Sequence, residues 1–233
     1  MKLSLLPRNI ASVISHPIKW IDAATGIPLF RIPEFLGTIR DVAVGDGYHA
    51  RMLVRPGDVI IDAGAHIGIF SKLTAGLGAR VFAFEPCRET FEILHKRFSH
   101  SKNVTIVNVG LGEKEGFAEL VTTGKLDGSH FKDSGMEKNF VESYIVPVTT
   151  IDEFVHKNNI ERVDFIKADV EGYEGKILLG ATKTIKRYKP TIAMSAYHHP
   201  EDKQELPRIL NNIAPYHCEL LIGGEEDFIC KPL

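Results

Sequence analysis

From Val59 onward, short runs of β-branched and aromatic residues alternate with stretches of helical period, the pattern of βαβ units built around a parallel sheet. The turn-like Pro56-Gly57-Asp58 introduces a first strand over Val59–Ala65. Ile69, Leu73 and Leu77 then recur every four residues with Phe70 beside them, and Gly78 supplies the stop of a helix. A second strand spans Val81–Pro86, and the helix after it sets Phe91, Leu94 and Phe98 on one face. Val104–Gly110 reads as the third strand.

The next crossover is less regular. Phe117–Val121 and Tyr144–Val148 have strand character, and Thr150-x-x-Glu153 is a capping box that opens a short helix with Phe154 and Val155. Val163–Val170 predicts a buried strand, followed by a helix that turns Ile177, Leu178, Ala181 and Ile185 inward, and then by a strand over Thr191–Tyr197. Leu206, Ile209, Leu210 and Ile213 have helical period, with Pro207 either kinking that helix or marking its start. Cys218–Ile222 and Phe228–Cys230 flank Gly223-Gly224-Glu225-Glu226, which predicts an antiparallel hairpin at a sheet edge, since parallel strands cannot be joined so tightly.

Two segments stand outside the alternation. Residues 1–56 are expected to form an extension packed on the core, with a helix near Ile10–Ile21 and strands near Leu29–Ile32 and Ile39–Val44, so that residues 57–233 make the main domain. Residues 122–143 hold Gly124, Gly128 and Gly135 among mostly polar positions, and a loop of that length is expected to enclose a ligand.

The 233 residues, 44% hydrophobic and 25% charged, suit a globular core and exclude a disordered or collagen-like chain. A net charge of -2 removes the electrostatic case for strong nucleic-acid or membrane-surface binding, and no stripe of basic and aromatic residues appears. The apolar Leu3–Leu6 is cut off by Pro7 and Arg8, short of a signal segment, and no run approaches the ~20 apolar residues that span a bilayer. Cys87, Cys218 and Cys230 form no C-x-x-C pair, so reduced thiols and a cytoplasmic location are expected.

The most informative run is Asp62-Ala-Gly64-Ala-His66-Ile-Gly68, at a strand-to-helix junction. Glycines there let the backbone approach a ligand, and Asp62 at the strand end suits the ammonium of an amino-acid-like group. Glu85 ends the second strand, on the order of 20 positions later, where Rossmann-type folds place a carboxylate on ribose hydroxyls. Two cofactors compete, a dinucleotide and S-adenosylmethionine. Gly64-x-x-x-Gly68 lacks the G-x-G-x-x-G of a pyrophosphate loop, and the terminal hairpin also disfavours an NAD-dependent oxidoreductase.

Beyond the cofactor, alternation places Lys167, Asp169 and Glu171 on one side of the fourth strand, a costly group to bury without partners or a ligand. Asp169 and His198 are the candidate general bases, His198 being preferred to His199 because a strand ending at Tyr197 brings it first to the cleft. Glu171 and Tyr197 are candidate substrate contacts. An Asp169–His198 pair could also ligate a divalent metal, the lesser reading, and no metal is assigned.

The segments DVIIDAGAHIGIFS, ARVFAFEPCRETFEILHKRF, VTTIDEFV, VDFIKADVEGYEGKILLGA and AYHHPED resemble successive blocks of the FkbM family of S-adenosylmethionine-dependent methyltransferases. The glycine block is common to many class I methyltransferases, whereas FEP followed by K-x-D-x-E-G-x-E is far more specific. The resemblance runs from about Gly57 to Pro200. It implies a Rossmann-like class I methyltransferase fold, α/β, with a seven-stranded, mostly parallel sheet and a C-terminal antiparallel hairpin. It further implies S-adenosylmethionine as methyl donor and O-methylation of a hydroxyl on a sugar, polyketide or other small molecule.

Carried onto this sequence, it places Asp62, Gly64 and Gly68 around the methionine part of the cofactor and Glu85 on its ribose. His66 stands where the family usually has Asn. Gly110 takes the place of an acidic adenine contact, leaving the backbone of Gly110 and Leu111 to serve. A methyltransferase fold used only as a binding module is the non-enzymatic alternative.

Overall fold

Val59-Ile60-Ile61 sends branched aliphatic side chains to both faces of a strand and therefore needs cover on both sides. It has that cover in the computed structural model, which describes residues 53–123, 129–136, 141–222 and 226–233. The first half of the chain folds as β1 (Val59–Ala63), α1 (Ile69–Gly76), β2 (Arg80–Phe84), α2 (Arg88–Phe98) and β3 (Val104–Val107). Next come β4 (Gly110–Leu111), β5 (Gly116–Thr122), β6 (His130–Phe131), a 3₁₀ turn at Lys132–Ser134 and β7 (Glu142–Thr149). The remainder is α3 (Ile151–Lys157), β8 (Phe165–Ala168), α4 (Glu174–Gly180), α5 (Thr182–Tyr188), β9 (Thr191–Ser195), α6 (Asp202–Ile213), β10 (Tyr216–Ile222) and β11 (Glu226–Pro232).

Seven strands form the main sheet in the order β10-β11-β9-β8-β1-β2-β3. All neighbours from β9 to β3 are parallel, and β11 runs antiparallel to both β9 and β10. Strand alternation divides the core. Ile61, Phe84, Ile166 and Met194 pack against α3, α4, α5 and α6 through Val155, Ile177, Ile185 and Leu210. Ile60, Val81 and Phe165 face the other way, onto Phe70 of α1 and Leu94 and Phe98 of α2.

Among the described residues the expected elements are present, with differences that have local causes. The strand after Pro56 stops at Ala63, because Gly64 and His66 have φ of 72° and 52° and turn the chain out of the sheet. The helix expected to follow the fourth strand is two helices, broken at Ala181, though Ile177, Leu178, Ala181 and Ile185 are all buried as expected. Thr150 caps α3, its Oγ1 accepting the Glu153 N–H at 3.0 Å. Helix α6 begins at Asp202 and runs through Pro207, which excludes Pro207 as its start. Between β3 and β8 the chain forms a separate four-stranded sheet, β4-β7-β5-β6, which the sequence pattern showed only as two isolated strands.

The cysteine expectation is overturned. Antiparallel register sets Cys218 opposite Cys230 across β10 and β11, and the two form a disulfide with Cα atoms 4.0 Å apart. A cross-strand pair needs register, not proximity in sequence, so spacing alone hid it. Cys87 is free and buried. The argument from reduced thiols to a cytoplasmic location thereby loses its support. Breaking the bond with reductant, or by Cys218→Ala, is expected to cost up to about 3 kcal/mol by the loop-closure argument. Urea midpoints of oxidised and reduced protein measure it, and equal midpoints would refute it.

The helix and strands expected within residues 1–52 lie outside the described residues, as do parts of the 122–143 segment and the hairpin turn. Val54, just before the expected domain start, is buried against the α1 and α2 side of the sheet. Among the described residues no helix is long and apolar enough to cross a membrane.

Candidate active site

At the carboxyl ends of β1, β2, β8 and β9 the chain leaves the sheet in four turns, and between them lies a cavity of about 500 Å³. Open α/β sheets hold ligands at this edge. The turn after β1 is tied to the end of β2. The Gly64 and Ala65 amides both donate to the Phe84 carbonyl, at 3.1 and 2.9 Å, and the His66 amide donates to Glu85 Oε2 at 2.8 Å. Glu85 Oε1 accepts the Cys87 N–H at 2.9 Å. Burial pushes the Glu85 carboxyl above its ordinary range, opposed by these two amides. The Thr90 hydroxyl also bonds this carboxylate, which has about four acceptor positions when ionised, so one remains for a ligand in the cavity.

The glycines of this turn serve two different ends. Gly64 passes against β8, where a Cβ would collide with the Asp169 carbonyl oxygen, and it lines the cavity. Gly68 does not line it. A Cβ there would run into Leu94 and Phe98, so Gly68 permits α1 and α2 to pack closely. Asp62 is also below the cavity lining, fully buried, with Oδ2 accepting from Ser71 Oγ at 2.6 Å. Its register partner on β8 is Lys167, whose Nζ lies 3.7 Å from Asp62 Oδ1.

Lys167 is shared. It donates to the Gly64 carbonyl at 3.0 Å and lies 3.4 Å from Asp169 Oδ2. Burial works to lower its pKa, but Asp169 and Asp62 outweigh that and hold the ammonium charged. Burial likewise works to raise Asp169, and Lys167 and then His198 overcome it, leaving the carboxyl below its ordinary range. The expected alternation of Lys167, Asp169 and Glu171 ends with the strand at Ala168. Glu171 reaches the group through a left-handed turn, with φ 55° followed by Gly172 at φ 88°.

His198 is the centre of this group. Its side chain is 2% exposed and is boxed by three carboxylates, with Glu174 Oε1 at 3.0 Å from Nδ1 and Glu171 Oε2 and Asp169 Oδ1 at 3.8 and 3.9 Å from Nε2. Burial alone would lower its pKa, but Glu174, Asp169 and Glu171 reverse that and push it up to about 8. The imidazole therefore does not meet solvent as a free base. Asp169 and Glu171, at 35% and 23%, are the more open members. Tyr197 lines the cavity with its ring centroid 4.2 Å from that of His198.

Gly110 and Leu111 line the cavity as expected, though a Cβ on Gly110 would strike the ring of Phe131, so that position is constrained by the small sheet. Residue reasoning missed three contributors. His130, Phe131 and Met136 bring the small sheet and its turn over the cavity, within the segment expected to enclose a ligand. Asp227 arrives from β11, antiparallel beside β9, and Ser195 Oγ donates to its Oδ1 at 3.1 Å. Glu174, 1% exposed, is the last acidic letter of the K-x-D-x-E-G-x-E run and the one signal that could have placed it.

The sequence profile of the methyltransferase FkbM domain matches residues 62–220. The hexuronic acid methyltransferase AglP of Haloferax volcanii is 26% identical over 175 residues, covering 74% of this chain and 69% of that protein. Among solved structures, methyltransferase FkbM from Methylobacillus flagellatus superposes with a TM-score of 0.57 at 21% identity, over 79% of this chain. The superposition spans half of that protein's length, 50%. Fibrillarin from Aeropyrum pernix, crystallised with natively bound S-adenosyl-L-methionine, shares the fold at TM-score 0.50 and 13% identity, over 79% of this chain and 74% of its own.

Proposed function

The chain belongs to the methyltransferase FkbM domain family, and from that premise we propose that it transfers a methyl group from S-adenosylmethionine to a hydroxyl oxygen of a small acceptor. The observation that carries this reading is Glu85, a buried carboxylate fixed by two backbone amides with acceptor capacity left toward the cavity. That capacity fits a ribose hydroxyl. Beside it, Gly64 lines the cavity and lets β1 pass close to the Asp169 carbonyl, and Lys167 supplies a fixed positive charge for a carboxylate. The volume is within the ~300–1,000 Å³ usual for small-molecule sites.

Bound there, the cofactor supplies a methyl group on a positively charged sulfur, open to in-line attack. Asp169 is the group that meets the acceptor hydroxyl and takes its proton, since it is the open carboxylate that Lys167 holds ionised. His198 also lines the cavity but is paired with Asp169, Glu171 and Glu174, and positions them in place of acting as the base. Glu171 and Tyr197 contact the acceptor, and Phe131 and His130 close the cavity from the small sheet. Much of the rate gain comes from alignment of methyl group and oxygen. Residues 57–233 form this unit.

The Haloferax relative is named for a hexuronic acid, which makes uronic acids and their glycosides the first acceptors to try. Calorimetry with S-adenosylhomocysteine tests the cofactor reading. One site per chain is expected, weakened about tenfold by Glu85→Gln, which exchanges a charged acceptor for a neutral amide. Absence of binding by the folded wild type would overturn the proposal.

A further inference from the structure

Beside the cavity, two atoms of one cluster, Nε2 of His198 and Oε2 of Glu174, are buried without any hydrogen-bond partner. Buried polar atoms are rarely left so, and one that is requires an explanation. A protonated imidazole accounts for Nδ1, whose N–H faces Glu174 Oε1 at 3.0 Å, but leaves Nε2 at 3.8 and 3.9 Å from the Glu171 and Asp169 oxygens, beyond hydrogen-bond reach. Glu174 Oε1 also accepts the Val170 N–H at 2.9 Å, and nothing satisfies Oε2.

We propose that Asp169, Glu174 and His198 form a binding site for a divalent cation of the manganese type. One ligand atom from each lies within 4.8 Å of the others. Opposite ligands about 2.1 Å from an octahedral ion are about 4.2 Å apart, so a small inward shift brings the three within reach of one ion. One imidazole with two carboxylates is a mixed nitrogen and oxygen set, and Mn²⁺ accepts both. The charge balance points the same way. Asp169, Glu171, Glu174 and Asp202 all act on this imidazole electrostatically, whereas Lys167 stands on the far side of Asp169, at Oδ2, and is shared with Asp62. Asp169 Oδ1, the oxygen toward His198, is left for the ion.

The role of the ion in the reaction rests on the methyltransferase reading, while the site itself rests on the cluster. A cation at this wall binds the acceptor hydroxyl and makes it more acidic. The oxygen lone pair then forms the new C–O bond, the S–CH₃ bonding pair returns to sulfur, and the hydroxyl proton passes to a carboxylate of the cluster and on to water. Asp169 serves as ligand through Oδ1 and keeps Oδ2 for that proton.

Protein stripped with a chelator is titrated with MnCl₂ alone while the signal of free Mn²⁺ is followed by electron paramagnetic resonance. Uptake of one ion per chain is expected, weakened at least about tenfold by Glu174→Gln and by His198→Gln, with folding checked by circular dichroism. Because Glu174 is a core residue, wild-type protein labelled with ¹⁵N-histidine gives an independent reading, in which the His198 ring signals broaden at substoichiometric Mn²⁺. No uptake by the folded wild type, or unbroadened His198 signals, overturns the site. Calorimetry with S-adenosylhomocysteine on the same stripped sample keeps the two proposals apart. Cofactor binding without Mn²⁺ uptake removes the metal site alone, and Mn²⁺ uptake without cofactor binding removes the transferase reading alone.

Discussion

Gly64→Ala is expected to destabilise the fold by about 2–4 kcal/mol and to drop S-adenosylhomocysteine binding below calorimetric detection. Two costs combine at this residue. Its φ of 72° is in the left-handed region, where a Cβ costs on the order of 1 kcal/mol. The same Cβ would collide with the Asp169 carbonyl, a backbone atom that cannot swing away as a side chain can. Relief requires β1 and β8 to part at their carboxyl ends. That motion would misplace Lys167, whose ammonium is bonded to the Gly64 carbonyl, and Asp169 with it. Gly57→Ala separates the two costs, since Gly57 has φ 87° and nothing near its Cβ position. Guanidinium midpoints for both variants make the comparison. If Gly64→Ala costs no more than Gly57→Ala, the collision contributes nothing and the close approach of the two strands is not what makes the glycine necessary.

This pairing also shows where sequence reasoning reaches and where it stops. A glycine at a strand-to-helix junction is legible because the demand is local, and the strands and helices of the main sheet were legible because their periods of 2 and 3.6 are local too. The run Gly64-x-x-x-Gly68 nevertheless hid a division of labour. Gly64 borders the cavity, whereas Gly68 answers to Leu94 and Phe98 on a helix 26 residues further along, a contact no local pattern encodes. The Cys218–Cys230 bridge and the arrival of Asp227 beside Ser195 are likewise products of one register, that of β11 between β10 and β9. Once a hairpin inserts there, every residue opposite is fixed. The hairpin was readable from its glycines, but its register was not.

The acidic group was readable in part for the same reason. Lys167 and Asp169 are adjacent as strand alternation requires. Glu171 joins them only because the chain takes a left-handed turn, and Glu174 only because α4 starts where it does. His198 comes from a different strand end altogether. Of the two histidines, His198 is the one enclosed by carboxylates, and it lines the cavity together with Asp169 and Glu171. Under the proposed reaction the imidazole, paired with these carboxylates, orders them and the more open Asp169 meets the acceptor, a shift from the role expected of His198.

That shift of role makes Asp169→Asn the decisive variant for the chemistry. Turnover is expected to fall by about 10²–10⁴, the range for loss of a positioned proton acceptor, while S-adenosylhomocysteine affinity changes little because the asparagine keeps size and shape. The acceptor decides how the result is read. A hydroxyl must give up a proton during or after attack, whereas a carboxylate attacks already ionised and needs no base. A hexuronic acid offers both oxygens, and the wall formed by Asp169 and Glu171 disfavours an approaching anion in the metal-free protein. Methyl-ether product together with a large fall in turnover is therefore expected, with the product distinguished from an ester by its resistance to mild alkali. Full turnover by Asp169→Asn would sink the assignment of Asp169 as proton acceptor, and an alkali-labile product would move the acceptor from hydroxyl to carboxylate. The pH profile separates a third case, because a metal-bound hydroxyl keeps its lowered pKa only while the cluster holds its ion. Chelation that reproduces the Asp169→Asn loss in the wild type would assign that residue's contribution to the cation it holds.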